Sequence, residues 1–194
     1  MNRLDATRTL VDVIRDEPII ASLGHPAYDL FAAADRPTHF YTWGSMGLAA
    51  SIGLGLALAR PASRVIVVDG DGSLLMNLGA LATLGWIRAR NLTLVVWDNG
   101  QYGTTGGQAA ATSAGADLEL AARAMGIAQA VTVRTDAALR EALGRTAEPG
   151  PWVIVAKVGE SGAAAKPPLD CVYIKQRFMA AIGTAEAATQ GGTS

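Results

Sequence analysis

Cysteine occurs once in this 194-residue chain, at Cys171, and histidine only twice, at His25 and His39. A single cysteine excludes an internal disulfide framework and fits a reducing compartment. So few His and Cys residues leave no set for an ordinary zinc site. Charge is scarce as well: Asp, Glu, Lys and Arg make up 17%, and the net charge is −1. That excludes the basic footprint expected of a nucleic-acid binder or of a protein held on an anionic membrane surface. Long apolar runs are missing too. The most apolar stretch, residues 46–59, is too short to span a bilayer and is built largely of glycine and alanine. Residues 1–16 mix charges with isolated apolar side chains and hold no core of signal-peptide length. A soluble, cytoplasmic protein is expected.

What the chain does have is apolar bulk. Half of its residues are hydrophobic, enough to bury a sizeable core. The length suits one domain, expected over residues 1–183, with residues 184–194 reading as a disordered tail by composition. Between these limits strands and helices alternate. Residues 18–23, 64–69, 92–98, 129–133 and 152–158 are β-branched or apolar runs bounded by turn residues, as buried strands should be. Residues 27–34, 45–60, 78–89, 117–125 and 136–147 carry helical patterns, and residues 175–182 a last one. Residues 100–115 read as loop, and residues 163–169 as a linker. The order predicts an α/β fold, a parallel sheet with helices on both faces.

The helix expected over residues 45–60 is crowded with small side chains, among them Gly47, Gly53 and Gly55. Each helical glycine costs roughly 0.5–1 kcal/mol relative to alanine. Close approach to a sheet, a second helix or a ligand would offset that cost.

Chemistry is concentrated at two strand ends. Gly70-Asp71-Gly72-Ser73 follows the strand at 64–69, and Asp98-Asn99 closes the strand at 92–98. In an open parallel sheet, ligands bind beyond the carboxyl ends of strands. One right-handed crossover over residues 72–98 returns the chain to the same edge, so Asp71 and Asn99 can converge on one ion. Both are hard oxygen donors with no soft ligand nearby, which selects Mg²⁺ or Ca²⁺. A lone GDG is usually a turn; the spacing to the second strand end, followed by Tyr102-Gly103, carries the specificity.

With these residues the chain resembles the diphosphate-binding module of thiamine-diphosphate enzymes, whose signature is GDG, a gap of this length and a pair ending in Asn. The resemblance implies thiamine diphosphate and Mg²⁺ as cofactors. It implies Asp71, Asn99 and the backbone carbonyl of Gln101 as metal ligands, with Gly70, Gly72, Ser73, Tyr102 and Gly103 around the diphosphate. The run Tyr41-Thr42-Trp43-Gly44-Ser45-Met46-Gly47 is similar to the family segment that holds the aminopyrimidine. Gly44 and Ser45 would lie against that ring, and Met46 would be the wedge that bends the cofactor. Within the family, FYTWGSMGLAASIGLGLALARP, GDGSLLMNLGALATLG and YGTTGGQ resemble sulfopyruvate and phosphonopyruvate decarboxylases. That subfamily carries a basic residue after the first strand, where Tyr28 stands here, with Asp29 in the acidic place that follows. The departure leaves the identity of the 2-oxo acid open.

The family's activating glutamate comes from a separate pyrimidine-binding module. Glu17, Glu119, Glu141, Glu148, Glu160 and Glu186 lie in no such module. The expectation is therefore a catalytic half, completed by an alpha-type subunit in an alpha2beta2 assembly or larger. His25, just after a strand end, is the candidate proton donor, with His39 as the alternative. Thr104 and Thr105 are candidate pocket residues. Other readings are a thiamine-diphosphate carboligase or 2-oxo acid oxidoreductase subunit, and a non-catalytic cofactor-binding regulatory subunit. A dinucleotide fold fails, because Gly53-Leu54-Gly55 falls inside a helix and not at a strand-to-helix turn.

Overall fold

The computed structural model describes residues 1–159 and 165–183. The tail expected at 184–194, Glu160, Glu186 and the first part of the expected linker lie outside the described residues.

Six parallel strands form the central sheet: β1 (Ile19–Ala21), β2 (His39–Tyr41), β3 (Val65–Gly70), β4 (Leu92–Asp98), β7 (Gln129–Val133) and β8 (Trp152–Lys157). Their spatial order is β2-β1-β3-β4-β8-β7. Successive residues of β3 and β4 point to opposite faces and both faces are covered, so Val65–Val68 and Leu94–Trp97 are apolar without interruption. Ile20, Val65, Val67, Leu94 and Val96 enter one core; Ile19, Ile66, Val68, Val95 and Trp97 enter the other. The first core is closed by α3 (Ala49–Ala59), α4 (Asp71–Met76), α5 (Gly79–Ile87), α6 (Leu118–Ala124) and α8 (Cys171–Ala181). The second is closed by α1 (Arg3–Val13), α2 (His25–Ala33) and α7 (Asp136–Arg145).

The α/β architecture and the five expected strands are present. Several elements were not read from the sequence, among them the short helix α4 that begins at Asp71 inside the glycine motif. Helix α1 is another: its mean polarity hid the buried series Ala6, Leu10 and Ile14, spaced for one helical face. So is strand β2, too short at three residues to show a period. In the expected loop, β5 (Gln101–Tyr102) and β6 (Gln108–Ala109) pair as a small antiparallel hairpin, followed by a 3-10 turn over Ala111–Ala114. The small-residue helix also begins later than expected, at Ala49, because Gly44 and Gly47 adopt positive φ and hold residues 44–48 in turns. Asp117 caps α6 as read, accepting from the Leu120 N–H.

The topology locates a crevice. The chain leaves β1 into α2 on one face and leaves β3 into α4 on the other, while β1 and β3 are neighbours in the sheet. The strand ends part there, which is the switch point where open α/β sheets bind ligands.

Candidate cofactor site

At that switch point lies a cleft with a cavity volume of about 50 Å³. The turn after β1 contributes Leu23, His25 and Pro26, and the turn after β3 contributes Gly70, Asp71, Gly72 and Ser73. Beyond β4 come Asn99, Gln101, Tyr102, Gly103, Thr104 and Thr105, with Met46 from the turns before α3. The structure thus brings together most of the residues singled out in the sequence. Gly44 and Ser45 adjoin Met46 without lining the cleft; Gly44 is exposed.

Asp71 is 1% exposed, and its Oδ2 accepts a 2.5 Å hydrogen bond from the Thr112 hydroxyl. Burial holds its carboxyl above the usual carboxylate range; the Thr112 bond opposes this and the charge of Asp98 adds to it. Asn99 Oδ1 accepts from the Gln101 N–H at 3.2 Å, which tightens the turn after β4. Asp98 points elsewhere. It pairs with Lys157, its neighbour in register on β8, and accepts from the Gly100 N–H. The two adjacent residues therefore have different duties, with Asn99 at the cleft and Asp98 in the sheet.

Gly72 has a steric reason. A Cβ there would stand 2.6 Å from the Tyr102 ring, so the missing side chain lets the hairpin close over the β3 turn. Ser73 braces the opposite wall. Its hydroxyl meets Ser22 Oγ at 3.1 Å and accepts from the Gly47 N–H at 2.9 Å. Asn77 donates to the Gly47 carbonyl at 3.0 Å and fixes the same turn. These contacts tie together the ends of β1 and β3 and the segment that carries Met46.

Supporting residues that escaped the sequence reading include Thr112, Ser22 and Asn77, described above, and two more. Asp69 is fully buried directly before the GDG motif, and its Oδ1 accepts from the Gly70 N–H at 2.9 Å. Burial raises its pKa, opposed by Ser73 and Ser22. The acidic residue preceding the motif was the available signal. Arg3, from α1, also lines the cleft, and no local pattern announces it.

The histidines separate cleanly. His25 lines the cleft at the start of α2, where its backbone N–H donates to Thr104 Oγ1 at 3.4 Å. His39 is 1% exposed within β2, edge-on to Tyr41, and does not line the cleft. Burial, with the Arg36 charge, lowers its pKa to about 4, so it is a neutral core residue and not a proton donor to the cleft.

A parallel α/β sheet whose switch point gathers a carboxylate and an amide oxygen beside a glycine-lined turn has the architecture of a cofactor-binding domain. Comparison with known proteins gives it a family. The C-terminal TPP binding domain of thiamine pyrophosphate enzymes matches residues 25–156, and the chain belongs to that family. It is 40% identical over 182 residues to the sulfopyruvate decarboxylase subunit beta of Methanocaldococcus jannaschii, covering 93% of this chain and 96% of the relative. It is 37% identical over 185 residues to the phosphonopyruvate decarboxylase of Streptomyces viridochromogenes, covering 94% of this chain and 46% of that protein. Its fold superposes on 2-oxoglutarate:ferredoxin oxidoreductase from Magnetococcus marinus with a TM-score of 0.68 at 17% identity, over 88% of this chain and 65% of that one.

Proposed function

We propose that this chain is the diphosphate-binding catalytic half of a thiamine-diphosphate-dependent 2-oxo acid decarboxylase of the sulfopyruvate or phosphonopyruvate decarboxylase kind, holding the cofactor through Mg²⁺. The observation that carries the reading is the meeting of Asp71, Asn99 and Gln101 with Gly72 and Ser73 in one cleft at the switch point.

The donor set fits Mg²⁺. A carboxylate, an amide oxygen and a backbone carbonyl are hard ligands, and their small number leaves coordination positions for phosphate oxygens and water. Among the described residues no group of three or more His, Cys, Asp or Glu is placed to hold a metal, so a softer or all-carboxylate site is not the competitor. When bound, thiamine diphosphate supplies the electron sink for the charge left as CO₂ departs. Met46 and Tyr102 give the cleft apolar surface, and Thr104 and Thr105 give it hydroxyls. His25, in the cleft wall, would be the group that holds the proton delivered to the substrate.

The half-site needs a partner. Ligand pockets usually span roughly 300–1,000 Å³, far more than this cleft offers. Among the described residues no glutamate lines it. Glu17 pairs with Arg64, Glu119 pairs with Arg123, and Glu141 and Glu148 are exposed. Leu48, Leu58, Met76 and Trp86 meanwhile stand exposed on the side of α3, α4 and α5, Trp86 by 84%. Apolar surface of this kind marks an interaction face. A separate pyrimidine-binding, alpha-type subunit supplies the activating glutamate and the missing walls, in a cytoplasmic alpha2beta2 assembly or larger.

The test compares the chain alone with the chain co-expressed with its partner, in thiamine diphosphate and Mg²⁺, by CO₂ release and by cofactor affinity. Negligible turnover is expected from the isolated chain. In the assembly, Asp71→Ala and Asn99→Ala should each lose more than the roughly 10–100-fold in Mg²⁺-dependent cofactor affinity that an outer-shell change costs. Asp98→Asn, one residue away but engaged with Lys157, should retain it. Full activity from the chain alone overturns the half-site, and cofactor bound as tightly by Asp71→Ala as by the unaltered chain overturns the metal site.

A further inference from the structure

A second cavity, of about 560 Å³, lies at the edge of the sheet opposite the cofactor cleft. It opens where three helices end and the strands that follow them begin. Helix α3 runs out into Pro61 and Ala62 ahead of β3, α5 into residues 88–91 ahead of β4, and α7 into residues 146–149 ahead of β8. The volume falls in the range of roughly 300–1,000 Å³ that suits a small molecule.

The walls are held by neutral hydrogen bonds. Asn91 Nδ2 donates to the carbonyls of Ala57, Arg60 and Ser63 at 2.7–3.1 Å, which locks the turn after α3. The Thr146 hydroxyl donates to the Leu143 carbonyl at 2.7 Å at the end of α7. The Gly150 N–H donates to the Arg90 carbonyl at 2.6 Å and ties the end of α5 to the loop before β8.

Three arginines line this cavity, Arg64, Arg88 and Arg90, against one carboxylate, Glu148. Arginine beside a helix C-terminus ordinarily serves the last carbonyls and the negative end of the helix dipole. Asn91 and Thr146 already serve α3 and α7 here. Arg64 is engaged elsewhere, paired with Glu17 and 3.4 Å from Thr146 Oγ1. Arg88 donates only its Nε, to the Gly85 carbonyl at 3.2 Å, and both its Nη groups are without a partner among the described residues. The exposed Arg90 guanidinium has none at all among them, and neither arginine pairs with Glu148. Two uncommitted positive charges therefore line one cavity in a chain whose net charge is −1.

The backbone gives a second, independent sign. Arg88 closes α5 in the left-handed conformation, at φ 56° and ψ 47°, and is the one non-glycine residue at positive φ among the described residues. Glycine or asparagine ordinarily takes that place. An arginine there lowers the stability of the fold, and strain of this kind gathers at ligand sites.

The lining selects the ligand. A bare anion needs neither this volume nor the apolar walls that Leu58, Pro61, Ile87 and Pro149 provide. A purely apolar ligand has no use for two free guanidinium groups. A phosphate monoester is a dianion above a second pKa of about 6, which matches two cations, and the forked donors of arginine fit its oxygens. A planar body can lie on the apolar wall or stack on a guanidinium plane.

We propose that this cavity is a second ligand site, for a phosphate monoester on a planar ring-bearing body, the build of a nucleoside monophosphate. Arg88 and Arg90 hold the phosphate, and Leu58 and Ile87 receive the body. The site is independent of the decarboxylase reading.

The probe is AMP, titrated by calorimetry into the full chain without Mg²⁺ or thiamine diphosphate, with adenosine and inorganic phosphate as its two halves. AMP should bind once per chain, and each half should bind at least roughly 10-fold more weakly. Arg88→Gln/Arg90→Gln, at two exposed positions, should weaken AMP roughly 10- to 100-fold. Arg88→Gly separates a ligand role from a structural one: it should weaken AMP in the same direction while raising Tm by roughly 2–4 °C, because the left-handed strain is relieved. AMP that fails to bind at millimolar concentration, or binds no tighter than either half, overturns the site. So does an unchanged affinity in Arg88→Gln/Arg90→Gln, which would place AMP elsewhere on the chain. An Arg88→Gly chain that keeps its affinity or melts lower shows Arg88 to be a helix cap and overturns it as well.

Discussion

Gly53→Ala and Gly55→Ala, two positions apart on α3, should change the stability of the isolated chain in opposite directions. Both exchanges remove a helical glycine, which by itself is worth roughly 0.5–1 kcal/mol in favour of alanine. The surroundings differ. A Cβ on Gly53 would stand 2.1 Å from Val67 Cγ2. Val67 is fully buried at the centre of β3, and its branched side chain has little rotamer freedom with which to yield. Overpacking of that kind costs about 1–3 kcal/mol, and a stiff partner puts this case in the upper half. The net expectation for Gly53→Ala is a loss of about 1–2 kcal/mol. A Cβ on Gly55 would meet nothing within 4 Å, so Gly55→Ala keeps the propensity gain. In a chain of this size 1 kcal/mol moves Tm by roughly 2–4 °C. Thermal melts followed by circular dichroism should therefore show Gly53→Ala lower by about 2–8 °C and Gly55→Ala higher by about 1–4 °C. Gly55 and Leu58 are exposed on the same helix, so if the proposed partner docks there, Gly55→Ala should in addition weaken that assembly, read by size-exclusion chromatography. Melting shifts of the same sign in the two variants would refute the division of α3 into a sheet-packed side and an open side.

Two further predictions concern pH. Burial lowers the pKa of His39 to about 4, below its ordinary value near 6.5, so the folded chain binds this proton less tightly than the unfolded chain does. The stability this contributes is present above pH 6.5 and is lost as the pH falls towards 4; His39→Phe should flatten that part of the curve in denaturant titrations, and an unchanged slope would contradict a buried neutral imidazole. Asp71 behaves in the opposite sense. Its carboxyl is raised, chiefly by burial, so its contribution is present below the ordinary carboxylate range and is lost as the pH climbs through its raised value. Without metal or cofactor, Asp71→Asn should be less stable than the unaltered chain at low pH relative to its standing at neutral pH, where it should gain; equal differences at both ends would show that the carboxyl is not perturbed.

By itself the sequence determined five of the six central strands, the class of fold and the two strand-end motifs that meet at the cleft. Strands buried on both faces need near-continuous apolar runs, and those of β3, β4 and β8 show this without reference to any neighbour. The motif at Gly70–Ser73 and the pair Asp98-Asn99 were legible because each sits at a strand end, and a crossover of fixed hand returns both to one edge. Tertiary structure decided what depends on contacts between segments distant in sequence. Only the register of β4 with β8 turns Asp98 towards Lys157 and leaves Asn99 for the cleft. Only the packing of α3 separates Gly53, pressed on Val67, from Gly55, which faces open space. Arg3 looked like one more charge in a polar leader until α1 folded over α2 and set it on Asp29 in the cleft wall. Local periodicity reports how a segment satisfies its own backbone and which of its faces is apolar. It carries no record of the partner a buried charge will find, because that partner is chosen by the path of the whole chain.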